Sequence, residues 1–287
     1  MFIYFLLATQ PTTAEKKMIG TSMTKLLQLM AALRAPEDGC PWDQEQTYES
    51  LVSHTLEEAY EVVDCIERAD HTALVGELGD LLFQVVFYAQ IGKEQGKFDF
   101  DDVVASISEK LIARHPHVFA NEAQLSAAQQ SQRWEDMKAQ ERQTQLGEDV
   151  SALADVPLSL PALVRAQKLQ KRAARVGFDW PSIDGVRAKV IEEIAELEQA
   201  QSHGTPDEVE EEFGDLLFSC VNWVRFQGLD AETVLRKATS KFESRFRALE
   251  DQISEEGSEI ESQSLEELEV RWQAVKARQK KRAPKHP

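Results

Sequence analysis

Residues 189–218 read KVIEEIAELEQAQSHGTPDEVEEEFGDLLF, and this stretch decides how the chain folds. Apolar residues recur in its first half at the three- and four-residue spacing of a helix, at Val190, Ile191, Ile194 and Leu197. Residues 201–206 carry the glycine and proline of a turn, and a second helical segment follows them. The stretch therefore predicts two antiparallel helices joined by a short connection.

Acidic residues occupy one face of each predicted helix. Residues three or four positions apart share a helical face, so Glu193 and Glu196 point the same way, as do Glu212 and Asp215. Glu192 lies one position round from this face and can reach its edge. If the helices pack antiparallel, four carboxylates converge between them.

The same pattern occurs earlier in the chain. Residues 54–83 read HTLEEAYEVVDCIERADHTALVGELGDLLF, and both acidic motifs stand 135 positions before their counterparts. Three glutamates of the first motif and six residues of the second are identical at this single offset. We interpret this as a duplication. Each copy contains helical patterns and no clear strand pattern, which predicts an all-α protein of two duplicated four-helix-bundle-like domains.

The duplication also bears on what the acidic residues do. A lone ExxE or ExxD motif usually forms a solvated face, but such a face does not require the same acids at the same positions in both copies. Unit charges about 4 Å apart repel by roughly 4 kcal/mol at an effective dielectric constant of 20, and a divalent cation removes that repulsion. All-oxygen ligands favour Mg²⁺, or Mn²⁺, over zinc. We predict a second, weaker metal cluster in the first copy, at Glu58, Glu61, Glu77 and Asp80.

Length and composition limit the remaining possibilities. The chain has 287 residues, and its 50 acidic against 32 basic residues give a net charge of −18. This charge argues against direct nucleic-acid binding. The three cysteines are far apart and form no CxxC pair, which fits a cytoplasmic protein. Residues 2–8 form an apolar segment too short to span a membrane, and we identify no other candidate span.

The prolines at 157 and 161 interrupt helix and separate the two copies. We therefore predict a non-conforming N-terminal extension at 1–22, a first domain at 23–150, a second domain at 151–280 and a frayed basic tail at 281–287.

A metal held by carboxylates suits hydrolysis of a triphosphate. Glu192, if it stays off the metal, can orient or deprotonate the attacking water. No GxxxxGK[ST] loop occurs in the chain, which argues against a P-loop enzyme. A ferritin-like di-iron oxidase would require ExxH motifs, and neither cluster has one. A non-catalytic, nucleotide-binding dimeric scaffold or regulator remains the alternative.

The chain resembles the MazG-type nucleoside triphosphate pyrophosphohydrolases, in their tandem two-domain bacterial form. The resemblance covers residues from about 23 to 280. It rests on both acidic motif pairs and on five shorter segments: GCPWD at 39–43, RHPHVF at 114–119, AQK at 166–168, VGFDW at 176–180 and KFESRF at 241–246.

The resemblance implies an all-α enzyme, usually a homodimer, that uses Mg²⁺ to convert an NTP or dNTP to the monophosphate and pyrophosphate. It implies metal ligands at Glu193, Glu196, Glu212 and Asp215 and nucleotide contacts at Lys189, Lys241, Arg245 and Trp272. We further predict Glu192 and Glu193 as the catalytic residues and Glu192 as an additional nucleotide contact.

Each of the implied nucleotide contacts has a structural alternative. Lys189 can instead form an ion pair with Glu193 one turn later. Lys241 and Arg245 can form a solvated basic face, and Trp272 can belong to the hydrophobic core, which is the commoner use of tryptophan.

The two copies differ beside their acidic clusters. His54 stands where the second copy has Lys189, so the first cluster lacks a permanent cation next to its predicted phosphate site. We therefore expect the second domain to carry most of the activity, with the first weaker or chiefly structural.

Two residue types near the motifs carry further expectations. A glycine inside a helix costs about 1 kcal/mol relative to alanine, so we expect the neighbouring helix to approach Gly214 closely. Trp42 and Trp180 are expected to pack at the entrance of each bundle, with a role as a platform for a base as the alternative.

Overall fold

The computed structural model describes residues 22–120 and 151–282, together with seven residues between 126 and 137. The chain forms two compact units, residues 1–137 and 138–287. Eleven α-helices, one short 3₁₀ helix and no strand occur in the described ranges. The predicted all-α fold of two helical domains is confirmed.

The first unit is built around one helix pair. Its described helices are α1 (Ser22–Leu33), α2 (Pro41–Glu45), α3 (Val52–Glu67), α4 (His71–Glu94), α5 (Phe100–Arg114) and α6 (Pro116–Phe119). Helices α3 and α4 pack along each other, while α1 and α5 pack on α4. The core lies where α1 meets α4 and consists of Met30, Leu51, Val86, Phe87 and Ile91.

The second unit repeats this pair and adds a long C-terminal hairpin. Its described helices are α7 (Ala162–Arg175), α8 (Ile183–His203), α9 (Pro206–Phe226), α10 (Ala231–Glu255) and α11 (Leu265–Arg282), with a 3₁₀ turn at Ile260–Ser262. Helices α8 and α9 pack along each other, α7 packs on α9 and α10, and α10 packs on α11. A core cluster of Leu249, Ile253 and Val275 joins α10 to α11.

A capping box defines the start of α9 and so fixes the register of the α8–α9 pair. The Thr205 hydroxyl accepts a hydrogen bond from the Glu208 backbone N–H at 3.3 Å, and the Glu208 carboxylate accepts one from the Thr205 backbone N–H at 2.6 Å. Pro206 occupies the first helical turn, where its missing N–H has no intrahelical partner to lose. The connection from α8 to α9 is therefore only two residues long.

Residues 151–161 contain no helix, in agreement with the two prolines in this stretch. The Arg172 guanidinium on α7 donates to the carbonyl oxygens of Ala154 and Asp155 and fastens this segment to the second unit. Residues 138–150 lie outside the described residues, so the domain boundary at residue 150 stays a prediction. Residues 1–21 and 283–287 also lie outside the described residues.

Helix α4 is long and apolar enough, by length and composition alone, to cross a membrane. The sequence had pointed only to residues 2–8 as an apolar segment, and these lie outside the described residues. The helix also carries Glu77 and Asp80 and packs against α1, α3 and α5.

Candidate metal and nucleotide site

Three carboxylates of the second unit meet between α8 and α9. Glu193, Glu196 and Glu212 each offer an oxygen, and these oxygens all lie within 4.8 Å of one another. Glu193 is only 3% exposed, whereas Glu196 is exposed. We call these three residues, with Asp215, the second acidic cluster.

Asp215 is not one of the three residues whose oxygens lie within 4.8 Å of one another. Burial raises the pKa of the Glu212 carboxyl, and the nearby charges of Glu196, Glu193 and Asp215 raise it further. The negative charge of Asp215 therefore acts on the Glu212 carboxyl, although Asp215 is not one of the three residues with the closest oxygens.

Lys189 places its ammonium group on this cluster. Its Nζ lies 2.8 Å from Glu193 Oε1, 3.0 Å from Glu192 Oε1 and 4.0 Å from Glu196 Oε2. Hydrogen bonds to Glu193 and then to Glu192 raise the pKa of the lysine above its usual value. The ion pair considered as an alternative is thus present, while contact with a phosphate stays a prediction.

The first unit has a matching cluster with a different membership. Glu58, Glu77 and Asp80 have oxygens within 4.8 Å of one another. Glu61 lies outside this group. Burial is the largest cause that raises the pKa of Glu77, and a hydrogen bond between Glu77 and Glu61 is the second largest. Together with Glu61 these three residues form the first acidic cluster.

No lysine reaches the first cluster from the position that corresponds to Lys189. His54 stands there, with Nδ1 3.8 Å from Glu57 and its ring edge-on to Trp42 at 6.0 Å. The exchange of Lys189 for His54 between the two copies therefore also changes the contacts at this position: Lys189 pairs with Glu192 and Glu193, whereas His54 lies near Glu57 and Trp42.

The donor set of both clusters fits a hard divalent cation. Every ligand atom that converges is a carboxylate oxygen. Burial raises the pKa values of Glu58, Glu77 and Glu212, and the neighbouring carboxylates raise them further. A divalent ion would offset the negative charges of these carboxylates.

The other predicted nucleotide contacts lie on α10 and α11. Lys241 is exposed, and Arg245 donates from Nε to Gln279 Oε1 at 3.1 Å. Trp272 packs against the α10–α11 core and lies 5.4 Å from the Phe242 ring. These three residues neither belong to the second acidic cluster nor line the cavity beside it, so their contact with a nucleotide stays a prediction.

A cavity of about 660 Å³ adjoins the second acidic cluster. Lys189, Glu193 and Asp215 line it on the side of the cluster. The remaining wall includes Gln170, Phe178, Trp180, Phe218, Asn222 and Arg225. None of these six residues was predicted as a site residue from the sequence, apart from the alternative role of Trp180 as a platform for a base.

An ion pair holds one wall of this cavity in place. Arg225 donates to both carboxylate oxygens of Asp179, at 2.5 and 3.1 Å, and its Nε donates to Asn222 Oδ1 at 2.8 Å. The hydrogen bonds from Arg225 hold the pKa of Asp179 below its usual range. The segment before α8 is thereby tied to α9.

Trp180 lies directly on the start of α8. A Cβ atom added at Gly185 would be 2.5 Å from Cε3 of the indole, so the absence of a side chain there makes room for the ring. Gly214 behaves differently, since a Cβ at that position would meet no atom within 4 Å. The expected close approach of a helix to Gly214 is therefore wrong; the close approach occurs at Gly185.

Comparison with known proteins agrees with this architecture. The family described as MazG nucleotide pyrophosphohydrolase domain matches residues 46–119 and 182–249, which contain both acidic clusters. A nucleoside triphosphate pyrophosphohydrolase of Escherichia coli K12 is 51% identical over 254 residues, which are 88% of this chain and 96% of that protein. The nucleoside triphosphate pyrophosphohydrolase/pyrophosphatase MazG of Thermotoga maritima is 44% identical over 260 residues, or 91% of this chain and 98% of the relative. The chain belongs to the MazG nucleotide pyrophosphohydrolase domain family and carries two copies of its domain.

Proposed function

We propose that this chain hydrolyses nucleoside triphosphates, both NTPs and dNTPs, to the monophosphate and pyrophosphate with Mg²⁺ as cofactor. Mn²⁺ is expected to substitute in part. The observation that carries the proposal is the convergence of Glu193, Glu196 and Glu212 beside a cavity of about 660 Å³. The names of the E. coli and T. maritima relatives support the same reaction.

The residues of the second acidic cluster take different parts in this reaction. Glu193, Glu196, Glu212 and Asp215 would hold Mg²⁺, which when bound polarises phosphate oxygens and lowers the pKa of a bound water. Glu192 is more than half exposed at its side chain, so it has room to orient that water or to accept its proton. Lys189 contacts Glu192 and Glu193 and would neutralise phosphate charge next to them.

Three further contacts complete the proposed nucleotide site. Lys241 and Arg245 would neutralise phosphate charge, and Trp272 would stack on the base. Lys241 has an exposed side chain on α10, the helix that packs on α7 and α9.

We also propose a homodimer that works in the cytoplasm and does not bind nucleic acid directly. The helix pair of the second unit exposes Ile191, Ile194, Phe213 and Leu217. The corresponding pair of the first unit exposes Leu56, Tyr60, Val75 and Leu78. Apolar faces of this kind are typical of surfaces that a partner covers. The net charge of −18 favours repulsion from nucleic acid.

Pyrophosphate release separates the enzyme from a non-catalytic scaffold. The full chain is incubated with each NTP and dNTP and Mg²⁺, and the products are resolved by chromatography. We expect monophosphate and pyrophosphate in equal amounts, their loss with EDTA and partial recovery with Mn²⁺.

The variant Glu193→Gln keeps the side-chain volume but loses a buried charge, so it should remove most of the activity. Glu198→Gln, an exposed change on the same helix, serves as the matched control and should remain active. Nucleotide binding without any pyrophosphate release by the wild-type chain would favour the scaffold.

A further inference from the structure

We propose that His115, His117 and Gln130 of the first unit form a binding site for a transition-metal ion such as Zn²⁺. None of these three residues belongs to either acidic cluster. The ion would join the end of α5 to the stretch that carries Gln130 and Trp134, and so stabilise the first unit without taking part in hydrolysis. The inference does not depend on the proposed function.

The two histidines lie side by side because a proline separates them. Proline disfavours the helical conformation for the residue before it, and His115 has φ −126° and ψ 52°. Helix α5 therefore ends at Arg114, and α6 begins at Pro116. The imidazole centroids of His115 and His117 are 5.7 Å apart. Two imidazoles that bind one tetrahedral ion have centroids roughly 5–6 Å apart, since each ligand nitrogen lies about 2.0–2.1 Å from the ion. The pair thus has the spacing of two ligands of one metal.

His115 already makes the outer contact that is typical of a metal-binding histidine. Its Nδ1 lies 2.7 Å from the carbonyl oxygen of Leu111, one turn earlier on α5. A carbonyl oxygen only accepts hydrogen bonds, so we assign the proton of the neutral ring to Nδ1. Nε2 then keeps its lone pair for an ion, and histidine ligands commonly donate their other N–H to a backbone carbonyl.

Two further polar atoms near the end of α5 are buried and unpaired. His117 Nδ1 and Gln130 Oε1 are both inaccessible to solvent and have no hydrogen-bond partner among the described residues. Gln130 as a whole is only 9% exposed. Burying a polar atom without a partner is unfavourable. An ion bound by the imidazole nitrogen and the amide oxygen would satisfy both atoms at once.

Contacts to one carbonyl oxygen bring Gln130 to the histidines. Gln130 Nε2 and Trp134 Nε1 both donate to the carbonyl oxygen of Arg114, at 3.4 and 3.0 Å. The last carbonyl groups of a helix lack intrahelical partners, so this oxygen is available to both donors. The Trp134 ring also meets His115 edge-on, with centroids 5.1 Å apart. The third ligand therefore comes from beyond the histidine motif, and the spacing of the sequence could not reveal it.

The second copy carries neither histidine. The KxxxR pattern that ends α5, at 110–114, recurs 131 positions later at 241–245. At this offset Phe246 and Ala248 stand in place of the two histidines. Helix α10 runs on through both positions, whereas Pro116 ends α5. The duplicated acidic motifs thus do not require the histidine pair, which supports a separate role for it in the first unit.

Cobalt substitution in the full chain tests the proposal, with excess Mg²⁺ present to occupy the acidic clusters. Co²⁺ replaces Zn²⁺ and absorbs strongly in the visible when imidazoles bind it in a tetrahedral site, but only weakly among oxygen ligands alone. We expect a single equivalent of Co²⁺ to give the strong band and Zn²⁺ to displace it. His115→Gln and His117→Gln should each remove the band. His203→Gln, an exposed change on α8, is the control and should leave the band unchanged.

Gln130 is tested by a change that strengthens the site. Gln130→Glu keeps the length of the side chain and replaces the amide by a carboxylate, so it should tighten Co²⁺ binding at least about fivefold. Gln130→Leu removes the ligand oxygen and should weaken binding by a similar factor. Gln129→Glu, at an exposed neighbouring position, should change the affinity less than about twofold. A folding defect cannot produce the tighter binding expected of Gln130→Glu.

Three results would overturn the proposal. These are the absence of a strong visible band from the folded wild-type chain, a band that survives in both histidine variants, and equal affinities in Gln130→Glu and Gln130→Leu. Pyrophosphate release with Mg²⁺ should stay the same in the histidine variants. Its absence from the wild-type chain would refute the proposed function and leave the cobalt result standing.

Discussion

Lys189 makes the two acidic clusters chemically different. Its ammonium group lies within 4.0 Å of three glutamates, whereas His54 in the first copy lies 3.8 Å from Glu57 and pairs with no other carboxylate of the described residues. A permanent cation at this point offsets the repulsion among the carboxylates. If a metal and a phosphate bind here as proposed, Lys189 would have to release Glu193. It would then compete with the metal and assist the substrate.

Replacing Lys189 should therefore change metal affinity and activity in opposite directions. Lys189→Met should tighten Mn²⁺ binding to the nucleotide-free chain, because a competing cation is removed. It should lower pyrophosphate release about ten- to a hundred-fold, because one charge-assisted phosphate contact contributes about 1.5–3 kcal/mol. Calorimetry and a pyrophosphate assay measure the two effects.

Lys237→Met, an exposed change on α10, is the matched control and should alter neither quantity. Unchanged turnover in Lys189→Met would mean that Lys189 serves only as an ion-pair partner, and weaker metal binding would contradict its role as a competing cation.

At the level of the helices, two glycines of the α8–α9 pair should respond in opposite ways to the same substitution. Gly214→Ala adds a methyl group into open space and should raise the free energy of unfolding by about 0.5–1 kcal/mol. Gly185→Ala places a methyl group 2.5 Å from the Trp180 ring, so it should displace the indole and shift the Trp fluorescence. Urea unfolding followed by fluorescence measures both, and a destabilised Gly214→Ala variant would contradict this account of α9.

The helix pairs could be predicted from the sequence because their determinants are local. The apolar spacing up to Leu197 and the turn at 201–206 are visible in one stretch of chain, and duplication of the acidic motifs identifies them as a pair. The structure then brings Glu193, Glu196 and Glu212 together, as helix geometry requires.

The cavity could not be predicted in this way. Gln170, Trp180 and Asn222 come from α7, the segment before α8, and α9, and only tertiary packing brings them together. The surroundings of Gly214 could not be predicted either. The sequence shows a glycine within a helix, but it does not show how far the neighbouring atoms lie from it.

At the level of the whole molecule, the exposed apolar faces predict self-association. Ile191 and Leu217 are 66% and 62% exposed on the helix pair that carries the second acidic cluster. Sedimentation velocity should show a dimer for the wild-type chain, and Leu217→Glu should shift it toward monomer because a charge cannot be buried in an apolar interface. Leu265→Glu, at a 77% exposed site on α11, is the control and should leave the dimer intact. A monomeric wild-type chain would refute the predicted assembly.

We expect hydrolysis to take place at the second acidic cluster. Pyrophosphate release by two full-length double variants distinguishes the clusters, since each variant removes two of the four carboxylate charges of one cluster and leaves the other unchanged. Glu193→Gln with Glu212→Gln should remove nearly all activity, while Glu58→Gln with Glu77→Gln should retain most of it. Loss of activity in the first-cluster variant beside a fully active second-cluster variant would instead mean that hydrolysis takes place at the first cluster.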